Sequence, residues 1–201
     1  TGGAETVDGG AGTDTLQFAQ ATTLTITAPE MEAISGIEII DASNTTGANQ
    51  TTITLGNGFF TSNGSSSITI DGNDTTDNAA DHYIDLSSVT NGAVIFYPNN
   101  AQAGAVDSLY GGSGDDTLIL TGTTANTSLG TADVFNGNGG TDTLSIISTG
   151  NVTATLDFSN VTNVEQAVLS ADSTGAIDLD LGAVAATDSE PATFLVDASV
   201  V

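Results

Sequence analysis

Apolar and polar residues alternate in short runs along this chain and rarely fall into the spacing of an amphipathic helix. Residues 23–27 (TLTIT), 52–55 (TITL), 67–71 (SITID), 93–97 (AVIFY), 154–158 (ATLDF) and 177–181 (IDLDL) place apolar side chains at every second position. That period marks strands with one face buried. Thr takes many outward positions, where its branched Cβ suits a pleated sheet. Gly, Asn and Ser separate the runs, as turns require. One helical turn is expected at 29–35, with Thr27 and Glu30 forming a capping box and Gly36 a stop. The pattern predicts an all-β chain.

Repeats refine this picture. GGAETVDGGAGTDTL (2–16), GAVDSLYGGSGDDTL (104–118) and GTADVFNGNGGTDTL (130–144) each parse as two tandem nine-residue units. Asp14, Asp116 and Asp142 hold the acidic position of the second unit, and Leu16, Leu118 and Leu144 the apolar position two residues later. Glu5, Asp107 and Asp133 hold the acidic position of the first unit, followed by Val7, Leu109 and Phe135. A longer period is superimposed. Asp14 and Asp142 are 128 apart, Glu38 and Glu165 are 127 apart, and Ile70-Asp71 and Val196-Asp197 are 126 apart. We therefore divide the chain into a β module at 1–102, opening with the coil 2–17, and a second at 103–201, opening with coils 103–119 and 129–145. The expectation is a piece of a longer tandem array with a period of about 127 residues.

Composition narrows the chemistry. The chain of 201 residues has 25 Asp or Glu and no Lys or Arg, a formal charge of −25. Without cationic side chains it cannot release counterions from nucleic-acid phosphates, nor be drawn to anionic membrane surfaces. No apolar run approaches the ~18 residues of a spanning helix, and the first thirty residues lack a signal-peptide pattern. Cysteine is absent, so disulfides and thiolate sites are excluded. One histidine, His82, cannot build a multi-histidine centre. The 38% hydrophobic content is enough for a core, so 25 unopposed negative charges pose the question of what neutralises them.

GGAGTDTLQ and GGSGDDTLI match the nine-residue GGxGxDxUx pattern, U being apolar, and GNGGTDTLS departs from it at Asn138. In these units the chain resembles the calcium-binding nonapeptide-repeat proteins of the RTX type, and in composition the bacterial surface-layer proteins that carry such repeats. The first unit of each pair is degraded, with Ala103, Ala105 and Thr131 in place of glycine and Glu5 in place of Asp. The resemblance covers about 50 residues and implies a parallel β-roll or β-helix-like solenoid with short Gly/Asp turns that bind Ca²⁺. Glycines let the backbone turn its carbonyls inward, and aspartate adds a hard charged oxygen to the six to eight that Ca²⁺ takes. The implied ligand turns comprise Glu5, Gly9, Ala11, Gly12 and Asp14 in the first coil. In the second they comprise Asp107, Gly111, Ser113, Gly114 and Asp116, and in the third Asp133, Gly137, Gly139, Gly140 and Asp142. The coils 103–119 and 129–145 are offset by 26 residues and should stack, with Asp116 facing Asp142 and Asp107 facing Asp133. The coil 2–17 should find no such partner within this chain.

A further acidic patch holds Asp71, Asp74, Asp77, Asp81 and Asp85, whose irregular spacing reads as a solvated loop more readily than a metal site. His82 reads as an ordinary surface or strand residue, and no nucleophile or carboxylate pair stands out as catalytic. The Asn-x-Ser/Thr triplets at Asn44, Asn49, Asn63 and Asn73 match chance in so Thr-rich a chain. The expected function is a non-enzymatic, calcium-dependent structural module of a surface layer or filament, assembling with copies of itself. The alternatives are a stalk or binding module of a long adhesin, with cell-surface polysaccharide as a partner, or the calcium roll of a secreted enzyme. The resemblance also implies type I secretion and an extracellular, cell-surface location.

Overall fold

A computed structural model describes residues 6–18, 23–43, 50–73, 81–98, 105–122, 132–148 and 159–171. The strands are β1 (Val7–Asp8), β2 (Thr15–Gln17), β3 (Leu24–Ile26), β4 (Ile34–Ser35), β5 (Ile39–Asp41), β6 (Gln50–Thr54), β7 (Ser67–Asp71) and β8 (Asp81–Asp85). They continue as β9 (Ala93–Tyr97), β10 (Asp107–Tyr110), β11 (Thr117–Gly122), β12 (Val134–Asn136), β13 (Thr143–Ser148), β14 (Val161–Thr162) and β15 (Gln166–Ala171). Two short helices, α1 (Ala28–Met31) and α2 (Asn57–Asn63), interrupt them. Among the described residues every strand pairing is parallel.

The order of pairing defines the architecture. One sheet runs β14-β12-β10-β8-β6-β3, the other β15-β13-β11-β9-β7-β5-β2, and β1 pairs with β4 alone. From β5 onward the chain thus alternates between the two larger sheets and advances one strand with each circuit, making a parallel β-solenoid. The predicted offset of 26 residues holds on both sheets, with Leu109 beside Phe135 and Leu118 beside Leu144.

Stacking explains why such short runs suffice. Ile26, Ile53, Ile84, Leu109, Phe135 and Val161 form one continuous inward row on the six-stranded sheet. Leu16, Ile40, Ile70, Phe96, Leu118, Leu144 and Ala167 form another on the seven-stranded sheet. All except Leu16 are buried. Full burial of one such Ile, Leu or Phe contributes about 1.5–3 kcal/mol. One or two inward positions per strand therefore hold each coil to its neighbours. Thr15, Ile39, Thr69, Ile95, Thr117 and Thr143 form an outward row in which β-branched side chains cover one another.

Several sequence expectations need correction. Strands at 67–71 and 93–97 match their predicted bounds, whereas 154–158, 177–181 and Val196-Asp197 lie outside the described residues. The helical turn is shorter than the predicted 29–35. The Thr27 N–H donates to Glu30 Oε2 at 2.7 Å, as a capping box requires, but Ile34 is drawn into a strand beside Val7. Gly36, with φ +62°, turns the chain between β4 and β5 rather than stopping a helix. The helix α2 was not anticipated. It buries Phe59 and Phe60 edge to face at 5.3 Å, and Gly64 closes it in the left-handed region.

The coil 2–17 stacks on a coil that carries no nonapeptide, Val7 pairing with Ile34 and Thr15 with Ile39. Val7 remains 40% exposed, where the pattern predicted an inward apolar residue. Strands from either side of residue 102 pair directly, β8 with β10 and β9 with β11. Among the described residues no helix is long and apolar enough to cross a membrane.

Candidate functional site

The acidic residues of the nonapeptides line up in two interior columns. The first contains Asp14, Asp116 and Asp142, each immediately before or close to the start of a strand of the seven-stranded sheet. Asp116 and Asp142 are fully buried. Their carboxylates accept backbone amides from the preceding coil. The Val94 N–H donates to Asp116 Oδ1 at 2.7 Å, and the Asp116 N–H to Asp142 Oδ1 at 2.7 Å. The ladder ends with a glutamate, for the Asp142 N–H donates to Glu165 Oε2 at 2.7 Å. At the other end of the chain the Asp14 N–H donates to Glu38 Oε2 at 2.9 Å.

The second column lies at the start of the six-stranded sheet. Asp107 Oδ1 accepts the His82 N–H at 3.0 Å and lies 2.9 Å from His82 Nδ1. The Asp107 N–H donates to Asp133 Oδ1 at 2.9 Å. The expected neighbours, Asp116 with Asp142 and Asp107 with Asp133, are thus brought together, and the direct contact in each case runs from amide to carboxylate.

The turns that carry these aspartates are built on glycine. A Cβ on Gly9, Gly111 or Gly137 would collide with a carbonyl oxygen of the following coil, from Gly36, Gly137 and Asn163 respectively. At each of the three it would also meet the aspartate of its own turn. Only hydrogen leaves room for that carbonyl beside the carboxylate. Gly12 and Gly140 adopt φ +136° and +125°, and Asn138, the departure from the pattern, keeps φ +64°. Asn138 also donates through Nδ2 to Gly111 O at 2.7 Å, so its side chain binds the coil before it. Gly139 N–H reaches Gly112 O at 3.0 Å. Ala11 and Ser113 are exposed, Gly114 is half-buried, and Glu5 lies outside the described residues.

Burial sets the electrostatics. Loss of water raises the Asp116 carboxyl to about 6, with the Val94 and Gly112 amides opposing and Asp115 adding to the rise. Asp142 is pushed up to about 7, first by burial and then by the charges of Asp116, Glu165 and Asp115, against the Asp116 amide. The chain has no Lys or Arg to place near either.

Satisfaction differs between the aspartates. Both oxygens of Asp116 are engaged, Oδ2 by the Gly112 N–H at 2.8 Å. Asp14 Oδ2 and Asp142 Oδ2 are buried without a hydrogen-bond partner. A buried carboxylate oxygen facing carbonyls suits a hard cation, which accepts both kinds of ligand. Among the described residues no three His, Cys, Asp or Glu side chains converge. Any cation held here would draw on one or two carboxylates plus main-chain carbonyls and water. The residues fit Ca²⁺ at Asp14 and Asp142 better than at Asp116.

The described residues of the acidic patch at 71–85 divide between the two sheets. Asp71 ends a strand of the seven-stranded sheet, Asp81 and Asp85 bound a strand of the six-stranded sheet, and Asp74 and Asp77 lie outside the described residues. Asp71 sits beside Asp41, and its carboxyl is raised by burial first and by that neighbouring charge second. His82 is a buried strand residue whose Nε2 has no hydrogen-bond partner and whose ring meets Phe96 edge on. Sequence reasoning missed Glu38 and Glu165 as members of the first column, although their 127-residue spacing was the available signal. Nothing in the local sequence marked His82 as the partner of Asp107, because the two lie 25 residues apart on adjacent strands. Comparison with protein-family models, with curated proteins and with solved structures returns no match to this chain.

Proposed function

We propose that this chain is a module of a calcium-dependent extracellular structural protein, of the kind that forms a surface layer or filament, with Ca²⁺ neutralising its acidic turns and copies associating with one another. The observation that carries this reading is a buried column of carboxylates in a chain without one Lys or Arg. Buried charge costs heavily unless a counter-charge or hydrogen bonds meet it. Backbone amides supply part of that compensation, and the two unpartnered oxygens leave the rest to an external cation.

Calcium would act by linkage. Binding only the folded coil stabilises it by RT ln(1 + [L]/Kd), roughly 1.4 kcal/mol per site at tenfold excess. With the Kd of about 10⁻⁴–10⁻³ M common for extracellular modules, the coils would be loose in a calcium-poor cytosol and rigid outside. That behaviour suits export as an unfolded chain. Neutralised turns would also lower the self-repulsion that otherwise keeps copies apart.

Thermal unfolding and negative-stain microscopy, each with millimolar Ca²⁺ and with chelator, test the proposal. The expected result is a higher Tm with Ca²⁺ and regular assemblies that chelation disperses. An unchanged Tm and no assembly at millimolar Ca²⁺ would overturn it.

A further inference from the structure

Two coil junctions of this chain are copies of one another. In the first, the Asp14 N–H donates to Glu38 Oε2, and the N–H groups of Glu38 and Ile39 donate back to Asp14 O, both at 3.1 Å. In the second, the Asp142 N–H donates to Glu165 Oε2, and the N–H groups of Glu165 and Gln166 donate back to Asp142 O at 3.1 and 3.0 Å. Gly36 and Asn163 occupy matching positions with φ +62° and +53°. Their carbonyls press against Gly9 and Gly137, beside the aspartate of each turn. The buried carboxylate oxygens without a partner include Asp14 Oδ2 and Asp142 Oδ2 but neither oxygen of Asp116.

We propose that the chain holds divalent cations at these two junctions, one built from Asp14, Glu38 and the Gly36 carbonyl, the other from Asp142, Glu165 and the Asn163 carbonyl. The inference rests on the calcium reading above and moves the sites away from the turn of Asp116. A nonapeptide aspartate is here joined by a glutamate from a coil that has no nonapeptide, and the two junctions repeat at the 127- to 128-residue spacing of Glu38 with Glu165 and Asp14 with Asp142.

Chemistry favours the assignment. Asp116 Oδ2 takes the Gly112 amide, a hydrogen that points where a cation would sit. Asp142 Oδ2 meets no donor, and Glu165 Oε2, 2.7 Å from the Asp142 amide nitrogen, brings a second carboxylate to the same turn. A left-handed residue at 36 and 163 turns its carbonyl toward that carboxylate. Two carboxylates, a carbonyl and water at the half-buried rim match the irregular oxygen shell of Ca²⁺ better than the strict octahedron of Mg²⁺.

Calorimetric titration of the whole chain with CaCl₂ tests this, comparing the parent with Glu38→Gln, Glu165→Gln, their combination, and Asp116→Asn. Glutamine keeps an oxygen for the aspartate amide while removing the charge. Each single glutamate change should remove one ion or weaken it at least tenfold, the combination should remove two, and Asp116→Asn should leave the stoichiometry unchanged. A combined variant that binds as many ions as the parent, with equal affinity, would overturn the junction sites and leave the calcium reading intact. A parent chain that binds no Ca²⁺ would overturn both. Amide chemical shifts of the parent chain give a measurement that needs no variant. Calcium should move Asp14, Glu38, Asp142 and Glu165 most, and shifts confined to the turn of Asp116 would overturn the assignment.

Discussion

The backbone N–H of Asp116 donates to Oδ1 of Asp142 at 2.7 Å, one coil further along the solenoid. The same step precedes it, from the Val94 N–H to Asp116 Oδ1 at 2.7 Å. A parallel ladder leaves amides at the start of each strand without a strand partner, and buried amides must be paired. The aspartate of each turn supplies that acceptor from the next coil. Its position in the nonapeptide therefore has a structural reason independent of any ion.

Removal of one acceptor should expose that role. Asp142→Ala leaves the buried Asp116 amide unsatisfied, which should cost about 1–3 kcal/mol. Asp142→Asn retains Oδ1 and removes a buried charge, so it should cost less than alanine in chelator. Urea unfolding of both variants measures the difference, and equal losses would show that the amide-to-carboxylate ladder contributes nothing.

The same column predicts acid stabilisation of the calcium-free chain. Asp116 and Asp142 have folded-state values of about 6 and about 7, above the ordinary carboxyl value of 3.8. Between those values the folded chain binds more protons than the unfolded one, so stability falls as pH rises. The contribution is complete below about 4 and is lost as pH passes 6 and then 7. Each tenfold change in proton affinity corresponds to about 1.4 kcal/mol, so the effect should reach the order of a few kcal/mol. Denaturant midpoints in chelator should therefore be higher at pH 5 than at pH 8. A midpoint that rises over that interval would contradict the burial of these two carboxyls.

Glycine positions within one turn should differ sharply. A methyl on Gly137 meets Asn163 O and Asp142 Oδ2, both held by the stacking of coils. A methyl on Gly139 has nothing closer than 3.9 Å. Gly137→Ala should lose several kcal/mol through overpacking, while Gly139→Ala should stay within about 0.5 kcal/mol of the parent. Thermal melts of the pair check this, and a tolerated Gly137→Ala would mean that the next carbonyl does not approach.

Much of this arrangement is legible in the sequence because a solenoid repeats its local rules. Leu118 and Leu144 can be placed on one row from a nine-residue phase and a 26-residue offset alone, since parallel stacking puts equivalents side by side. What escapes is set by contacts between unlike coils. Ile34 pairs with Val7 although neither lies in an alternating run, and α2 depends on Phe59 and Phe60 finding the core beneath them. Glu38 and Glu165 sit in coils that lack the nonapeptide, so the motif cannot reveal that their carboxylates finish the aspartate column. The 127-residue period points to them, and only stacking shows what they touch.

His82 offers a last prediction that separates structure from chemistry. Asp107 Oδ1 is an acceptor for the His82 amide, so the proton shared between it and Nδ1, 2.9 Å apart, belongs on the ring nitrogen. Nε2 lies buried with no hydrogen-bond partner. Nitrogen-15 shifts should identify the Nδ1–H tautomer. His82→Asn keeps a donor near Asp107 and should cost less than His82→Leu, which removes a hydrogen bond to a carboxylate worth about 1.5–3 kcal/mol. A leucine variant as stable as the parent, or a spectrum of the Nε2–H form, would show that this contact does not fix the ring and that His82 is held by packing against Phe96 alone.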